Sequence, residues 1–139
     1  MMKTQTRLTA LLSAVCALSL SASAQDAASK LPPVATKTGV TYDTDIKPLL
    51  DKSCVKCHSG DKPKAKLKLD SVDNILKGSR NGKVVTVGDS TKSLIVLAAA
   101  HVTADSDEWM PPAKAADRFP KLTPDQIGLL RAWIDQGAK

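Results

Sequence analysis

Aromatic side chains are scarce in this sequence, with Tyr42, Trp109, Phe119 and Trp133 making up the whole set in 139 residues. A chain of this size buries a limited share of its surface and four rings fill little of a core, so apolar mass from outside the polypeptide is expected. Long apolar runs are nearly absent too. The one present, Leu8 to Leu20, is about thirteen residues, short of the roughly twenty that a membrane-spanning helix needs. Nucleic-acid binding is excluded by the lack of aromatic interleaving or any recognisable motif.

What surrounds the apolar run explains it. Lys3 and Arg7 precede it and the small residues Ala22, Ser23 and Ala24 follow, which is the order of a secretory signal peptide cleaved after Ala24. Cys16 falls inside the removed part, and Ser13, Ala14 and Val15 before it do not make a lipoprotein cleavage site. Residues 1–24 carry Lys3 and Arg7 as their only charges, so their loss takes the net charge from +6 to +4 and leaves 115 of 139 residues. That length suits one domain, exported to the periplasm with no membrane span after cleavage. Residues 25–40, with Pro32, Pro33 and no periodic pattern, read as a flexible leader, and residues 41–139 as the domain.

After export two cysteines remain, in the run Ser53-Cys54-Val55-Lys56-Cys57-His58. Cys-x-x-Cys-His is the spacing of covalent haem attachment: two thiols three positions apart each add to one vinyl group of the porphyrin, and the adjacent imidazole becomes an axial iron ligand. A plain disulfide leaves the histidine unexplained. A zinc site needs four protein ligands, and two thiolates with His58 and His101 make a poor tetrahedron. A thioredoxin-like pair expects alternating strands and helices, which the sequence lacks. One haem, held by Cys54, Cys57 and His58, would also supply the missing apolar mass.

For a second axial ligand the mature chain offers a single methionine, Met110, in Trp109-Met110-Pro111-Pro112. The two prolines fix their own backbone and donate no amide hydrogen, so the segment is stiff, extended and suited to presenting one thioether from a loop. The plain alternative is a gap-filling core methionine. His101 is the rival: Leu94, Leu97, Ala98 and His101 share one face of a helix, and such a histidine could ligate iron, hydrogen-bond a haem propionate or sit at the core edge.

Helical signals frame these residues. A helix is expected from Asp43 as cap, with Ile46, Leu49, Leu50 and Cys54 on one side and Pro48 tolerated near its start. Asp70 to Lys77 reads as a short helix ended by Gly78, Ser90 to Ala100 as another, and Asp105 to Pro120 as the loop carrying Met110. Thr123-Pro124-Asp125-Gln126 is a capping box and Gly137 closes the helix it begins, with Ile127, Leu130, Trp133 and Ile134 as the apolar stripe and Arg131, Asp135 and Gln136 on the wet side. First and last helices packed together beside the haem make a small all-α domain.

These segments, in this order, resemble the planctomycete-type cytochrome c domain, a branch of the class I cytochrome c family. The resemblance runs from about Tyr42 to Ala138 and rests on Asp45-Ile46-Lys47-Pro48-Leu49-Leu50, Cys54-Val55-Lys56-Cys57-His58, Leu67-Lys68-Leu69-Asp70-Ser71, Ser93-Leu94-Ile95, Met110-Pro111-Pro112 and Trp133-Ile134-Asp135-Gln136-Gly137-Ala138. It implies a class I fold, thioether links at Cys54 and Cys57, a proximal ligand at His58 and a distal ligand at Met110. Gly78-Ser79-Arg80 and Val87-Gly88-Asp89 depart from the usual glycine pair and proline-glycine of such domains, in loops away from the haem motif.

The expected function is a mono-haem electron carrier with His/Met ligation, not an enzyme. The alternatives are an open-site haem protein binding peroxide or a gas, a detachable haem subunit of a larger oxidoreductase, and a redox-inert module built on a disulfide or zinc. Lys52 and Lys56 flank the haem motif, and Lys62, Lys64, Lys66 and Lys68 alternate beyond it. Such a rim would steer redox partner proteins with acidic docking surfaces; the alternative is a solvated lysine loop that aids solubility.

Overall fold

The computed structural model describes residues 26–139; the expected signal peptide, its cleavage point and Cys16 lie outside the described residues. Among the described residues from 41 on, four α-helices carry the fold: α1 (Lys47–Ser53), α2 (Val72–Lys77), α3 (Leu94–Ala99) and α4 (Pro124–Asp135). Short 3₁₀ turns join them, and among the described residues there is no strand, only an isolated bridge between Ser79 and Gly82. The domain is all-α.

Helical backbone begins before α1, in a π-turn over Tyr42–Ile46 whose following amide, Lys47 N–H, donates to Tyr42 O five residues back. Pro48 gives the physical reason: its ring crowds the carbonyl four residues earlier, at Thr44, and the turn ahead of it widens. Asp43, expected as the cap, lies inside the first turn. The segment has no side-chain cap: Thr41 is its N-cap residue, and Asp45 from inside the segment accepts from Thr41 N–H at 3.0 Å and pairs with Lys37.

The last helix starts as its sequence indicates. Gln126 N–H donates to Thr123 Oγ1 at 3.3 Å while Gln126 Oε1 accepts from Thr123 N–H at 2.9 Å, a reciprocal capping box with Pro124 where no amide hydrogen is needed. Ile127, Leu130, Trp133 and Ile134 are buried, and Trp133 lies against Tyr42 at 6.0 Å between ring centroids. Ile46 and Leu50, from the first helical segment, share that core with Ile75 of α2 and Val96 of α3. First and last helical segments therefore pack together as expected.

The stretch read as one helix from Ser90 to Ala100 is broken at Ser93. That residue is fully buried, and its hydroxyl donates to Asp89 O at 2.9 Å and accepts from Thr86 N–H at 2.9 Å. These bonds hold it in an extended conformation between a 3₁₀ turn (Ser90–Lys92) and α3, the competition that serine offers helical backbone. Because α3 ends at Ala99, His101 is not on its face, and Val96, Ala98 and Ala99 are buried while Leu94 is exposed. His101 turns away in the left-handed region at φ +58°.

Residues 32–40, expected to belong to a flexible leader, lie along α4. Ala35 N–H donates to Gly128 O at 3.0 Å, Arg131 reaches Pro32 O, and Gln136 takes both Val40 N–H at 3.1 Å and Lys37 O at 2.8 Å. The side of α4 expected to be wet is thus where the leader docks, and Asp135 accepts from Ser90 N–H at 2.7 Å on the same helix. Gly128 makes the approach possible, since a Cβ there would stand 2.6 Å from Pro33 O.

Alanine at an open helix position stabilises relative to glycine by about 1 kcal/mol. Gly128→Ala should instead destabilise the protein, by about 1–3 kcal/mol in thermal or denaturant unfolding, because the leader backbone is forced off α4. The same substitution in a chain lacking residues 25–36 should cost nothing; an equal cost in both chains would contradict the docking.

Candidate functional site

α1 delivers the Cys-x-x-Cys-His run by ending at Ser53. Cys54 N–H still donates to Leu50 O at 2.7 Å, but Cys54 leaves helical geometry at φ −129°, and the chain then coils on itself: Cys57 N–H donates to Cys54 O at 3.1 Å, and His58 N–H lies 3.1 and 3.0 Å from Cys54 O and Val55 O. Local backbone bonds thus bring Cys54, Cys57 and His58 onto one turn. Both thiols are free and half-buried. Burial pushes the Cys54 thiol up to about 12, with Cys57 adding to the rise, so Cys54 is a neutral thiol at physiological pH.

His58 is buried, at 8% exposure. Its Nδ1 lies 3.3 Å from Leu67 O, and because a carbonyl can only accept, Nδ1 carries the proton. The other nitrogen, Nε2, is then left with a lone pair, the state a metal ligand requires. Burial also lowers the imidazole pKa, ahead of the opposing backbone hydrogen bond to Leu67, which keeps the ring neutral.

The loop from Gly60 to Leu69 is shaped to supply that carbonyl. Lys64 N–H returns to Cys57 O at 3.0 Å, Leu67 N–H to Lys64 O at 3.0 Å, and Leu69 N–H to His58 O at 2.8 Å. Between them Ala65 and Lys66 both take left-handed backbone, φ +54° and +55°, a conformation that costs a non-glycine residue roughly 1–2 kcal/mol. The pair is held from outside, where Arg80 N–H donates to Ala65 O at 2.9 Å.

Met110 comes from a separate strap. Its N–H donates to Ala98 O at 3.1 Å, which fastens the strap to α3, and its side chain is half-buried between the half-buried Trp109 and the buried Pro111. Asp105–Pro120, expected as a loop, contains only two 3₁₀ turns, Ser106–Glu108 and Ala113–Ala115. His101 joins this strap rather than the Cys-His turn: its Nε2 lies 3.2 Å from Met110 O and its ring stacks on Trp109 at 5.0 Å and 21°. Trp109 is itself fixed, its indole N–H donating to Thr103 O at 3.3 Å. The link between His101 and the Met110 backbone was not readable from the sequence, since the helical spacing that put His101 on a face ends two residues too early.

Among the described residues, no group of three or more His, Cys, Asp or Glu side chains gathers to hold a metal ion, so a four-ligand structural zinc site is not assembled there. The donor set fits haem c instead: two free thiols on one turn, one imidazole with a free lone pair, and one thioether on a different segment. No described helix is long and apolar enough to cross a membrane.

Comparison with known proteins agrees with this chemistry. Residues 54–114, a little under half of the chain, match the family described as Planctomycete cytochrome C, and the match begins at Cys54 and includes Met110. No curated protein and no solved structure is significantly similar to the chain.

Replacing both Cys54 and Cys57 by alanine should abolish haem retained through denaturing electrophoresis, and each single replacement should reduce it, because at most one thioether can then form. Haem staining of the gel is the measurement, and an undiminished band in the double variant would contradict the assignment.

Proposed function

We propose, from the match of residues 54–114 to the family described as Planctomycete cytochrome C, that the chain is a periplasmic mono-haem cytochrome that carries single electrons, with His58 and Met110 as the residues that would hold the iron. The observation that carries the proposal is the contact of His58 Nδ1 with Leu67 O, which assigns the proton to Nδ1 and leaves the lone pair on Nε2. Haem c, attached at Cys54 and Cys57, supplies an iron that cycles between ferric and ferrous forms.

The protein's own residues do the rest. Backbone bonds hold the Cys54–His58 turn, and the bond from Met110 N–H to Ala98 O holds the segment that would bring the thioether to the iron. With His58 and Met110 both holding the iron, no open position would be left for a substrate, and transfer of electrons is the chemistry the bound group would supply. A thioether is a soft ligand and favours the reduced metal, which raises the potential relative to two-histidine ligation. Two anchored segments also limit how far either ligand shifts between oxidation states.

Export follows from the expected signal peptide and places the protein where haem c is assembled and disulfide-forming thiols are otherwise oxidised. Around the haem motif, Lys52, Lys56, Lys62, Lys64 and Lys66 are exposed and Lys68 is half-buried, and none of the six is in an ion pair among the described residues. The Lys64–Cys57 backbone bond folds this lysine loop back beside the site, where its charge suits partner proteins with acidic docking surfaces.

Met110→Ala should keep the covalent haem, lower the reduction potential and open the ferrous iron to carbon monoxide. Potentiometry and the far-red charge-transfer absorption of the ferric protein report this directly. A wild-type protein that lacks the far-red band and already binds carbon monoxide would favour an open-site haem protein instead.

A further inference from the structure

His101 stands where a helix normally ends in glycine. It follows Ala100, the cap of α3, in left-handed backbone at φ +58°, a conformation that an L side chain with a Cβ adopts at a cost. A residue held in such a conformation asks for a compensating interaction. Two are present, and both lead to the same loop: Nε2 lies 3.2 Å from Met110 O, and the ring stacks on Trp109, the residue before Met110. Because the carbonyl can only accept, Nε2–H is the donor.

We infer that His101 is a positioning residue that sets where Met110 stands, and so tunes an axial position it does not itself occupy. The inference rests on Met110 ligation as proposed above. Met110 N–H is tied to Ala98 O and Met110 O to His101, so both polar groups of its peptide backbone are anchored to the C-terminal end of α3 and the residues just after it. Stacking on a Trp109 ring that is itself bonded to Thr103 O removes the rotation that a single hydrogen bond would allow. The thioether is then presented by a backbone with little freedom left, which keeps ligand ordering from being charged against iron coordination.

The test separates positioning from folding. His101→Gly removes the ring and suits the left-handed backbone, so in the haem-loaded protein the melting temperature should hold. The ferric far-red band should weaken, the potential should fall, and carbon monoxide should bind the ferrous protein about tenfold more readily, the effect of one lost hydrogen bond and its stack. His101→Asn, which tolerates left-handed backbone and can still donate to Met110 O, should recover part of the band and the potential.

An unchanged far-red band and unchanged carbon monoxide binding in His101→Gly would overturn the inference. Met110→Ala is the control: if it opens the iron while His101→Gly does not, positioning alone has failed. If Met110→Ala also leaves the spectrum unchanged, the ligation reading itself has failed and carries the inference down with it.

Discussion

The imidazole of His58 has two nitrogens, and the fold decides which one is free. Leu67 O accepts the hydrogen bond from Nδ1–H, and the use of the Cys-x-x-Cys-His run as a ligand site depends on that choice. Were the proton on Nε2, that nitrogen would offer no lone pair to a metal. The loop that delivers the carbonyl includes two consecutive non-glycine residues, Ala65 and Lys66, in left-handed backbone. A chain does not accept that cost without bonds on both flanks, and the flanking bonds run to Cys57 and from Arg80. Ligand chemistry and loop shape are therefore one constraint seen from two ends.

A second anchored segment, of different construction, carries Met110. The Met110 strap has almost no helix of its own and depends on α3, whose early stop at Ala99 frees His101 to turn back toward it. Ser93 contributes to that arrangement by breaking the helix at its start, so α3 is six residues long and not the eleven its apolar run suggests. The core of Trp133, Tyr42, Ile46 and Leu50 joins the two ends of the domain and gives both segments a common frame.

Much of this was legible in the sequence. The haem-binding spacing, the capping box at Thr123, the proline-stiffened Met110 segment and the helix stop at Gly78 are local signals, written in side chains a few residues apart, and local geometry answers them. What escaped reading was carried by backbone. Pro32, Pro33 and Ala35 dock on α4 through their carbonyls and amides, which leave no pattern in side-chain identity. Gly128 was the one available hint, a glycine in the middle of an otherwise strong helix. Asp45 and not Asp43 bonds the Thr41 amide at the start of the helical segment, and the π-turn ahead of Pro48 leaves no mark in side-chain identity. His101 was placed on a helical face by spacing that would hold only if α3 continued past Ala99.

The scarcity of aromatic residues gains a physical meaning in this frame. Trp133 and Tyr42 join the ends of the domain, Trp109 holds the Met110 strap and Phe119 is half-buried beneath Arg118, and a porphyrin would add the apolar mass that four rings leave short. The most direct measurement of the central claim is heteronuclear NMR of isotope-labelled histidine in the reduced, haem-loaded protein. The account predicts that His58 carries an exchange-protected proton on Nδ1 and that Nε2 is bound to iron; a proton on Nε2 would contradict it.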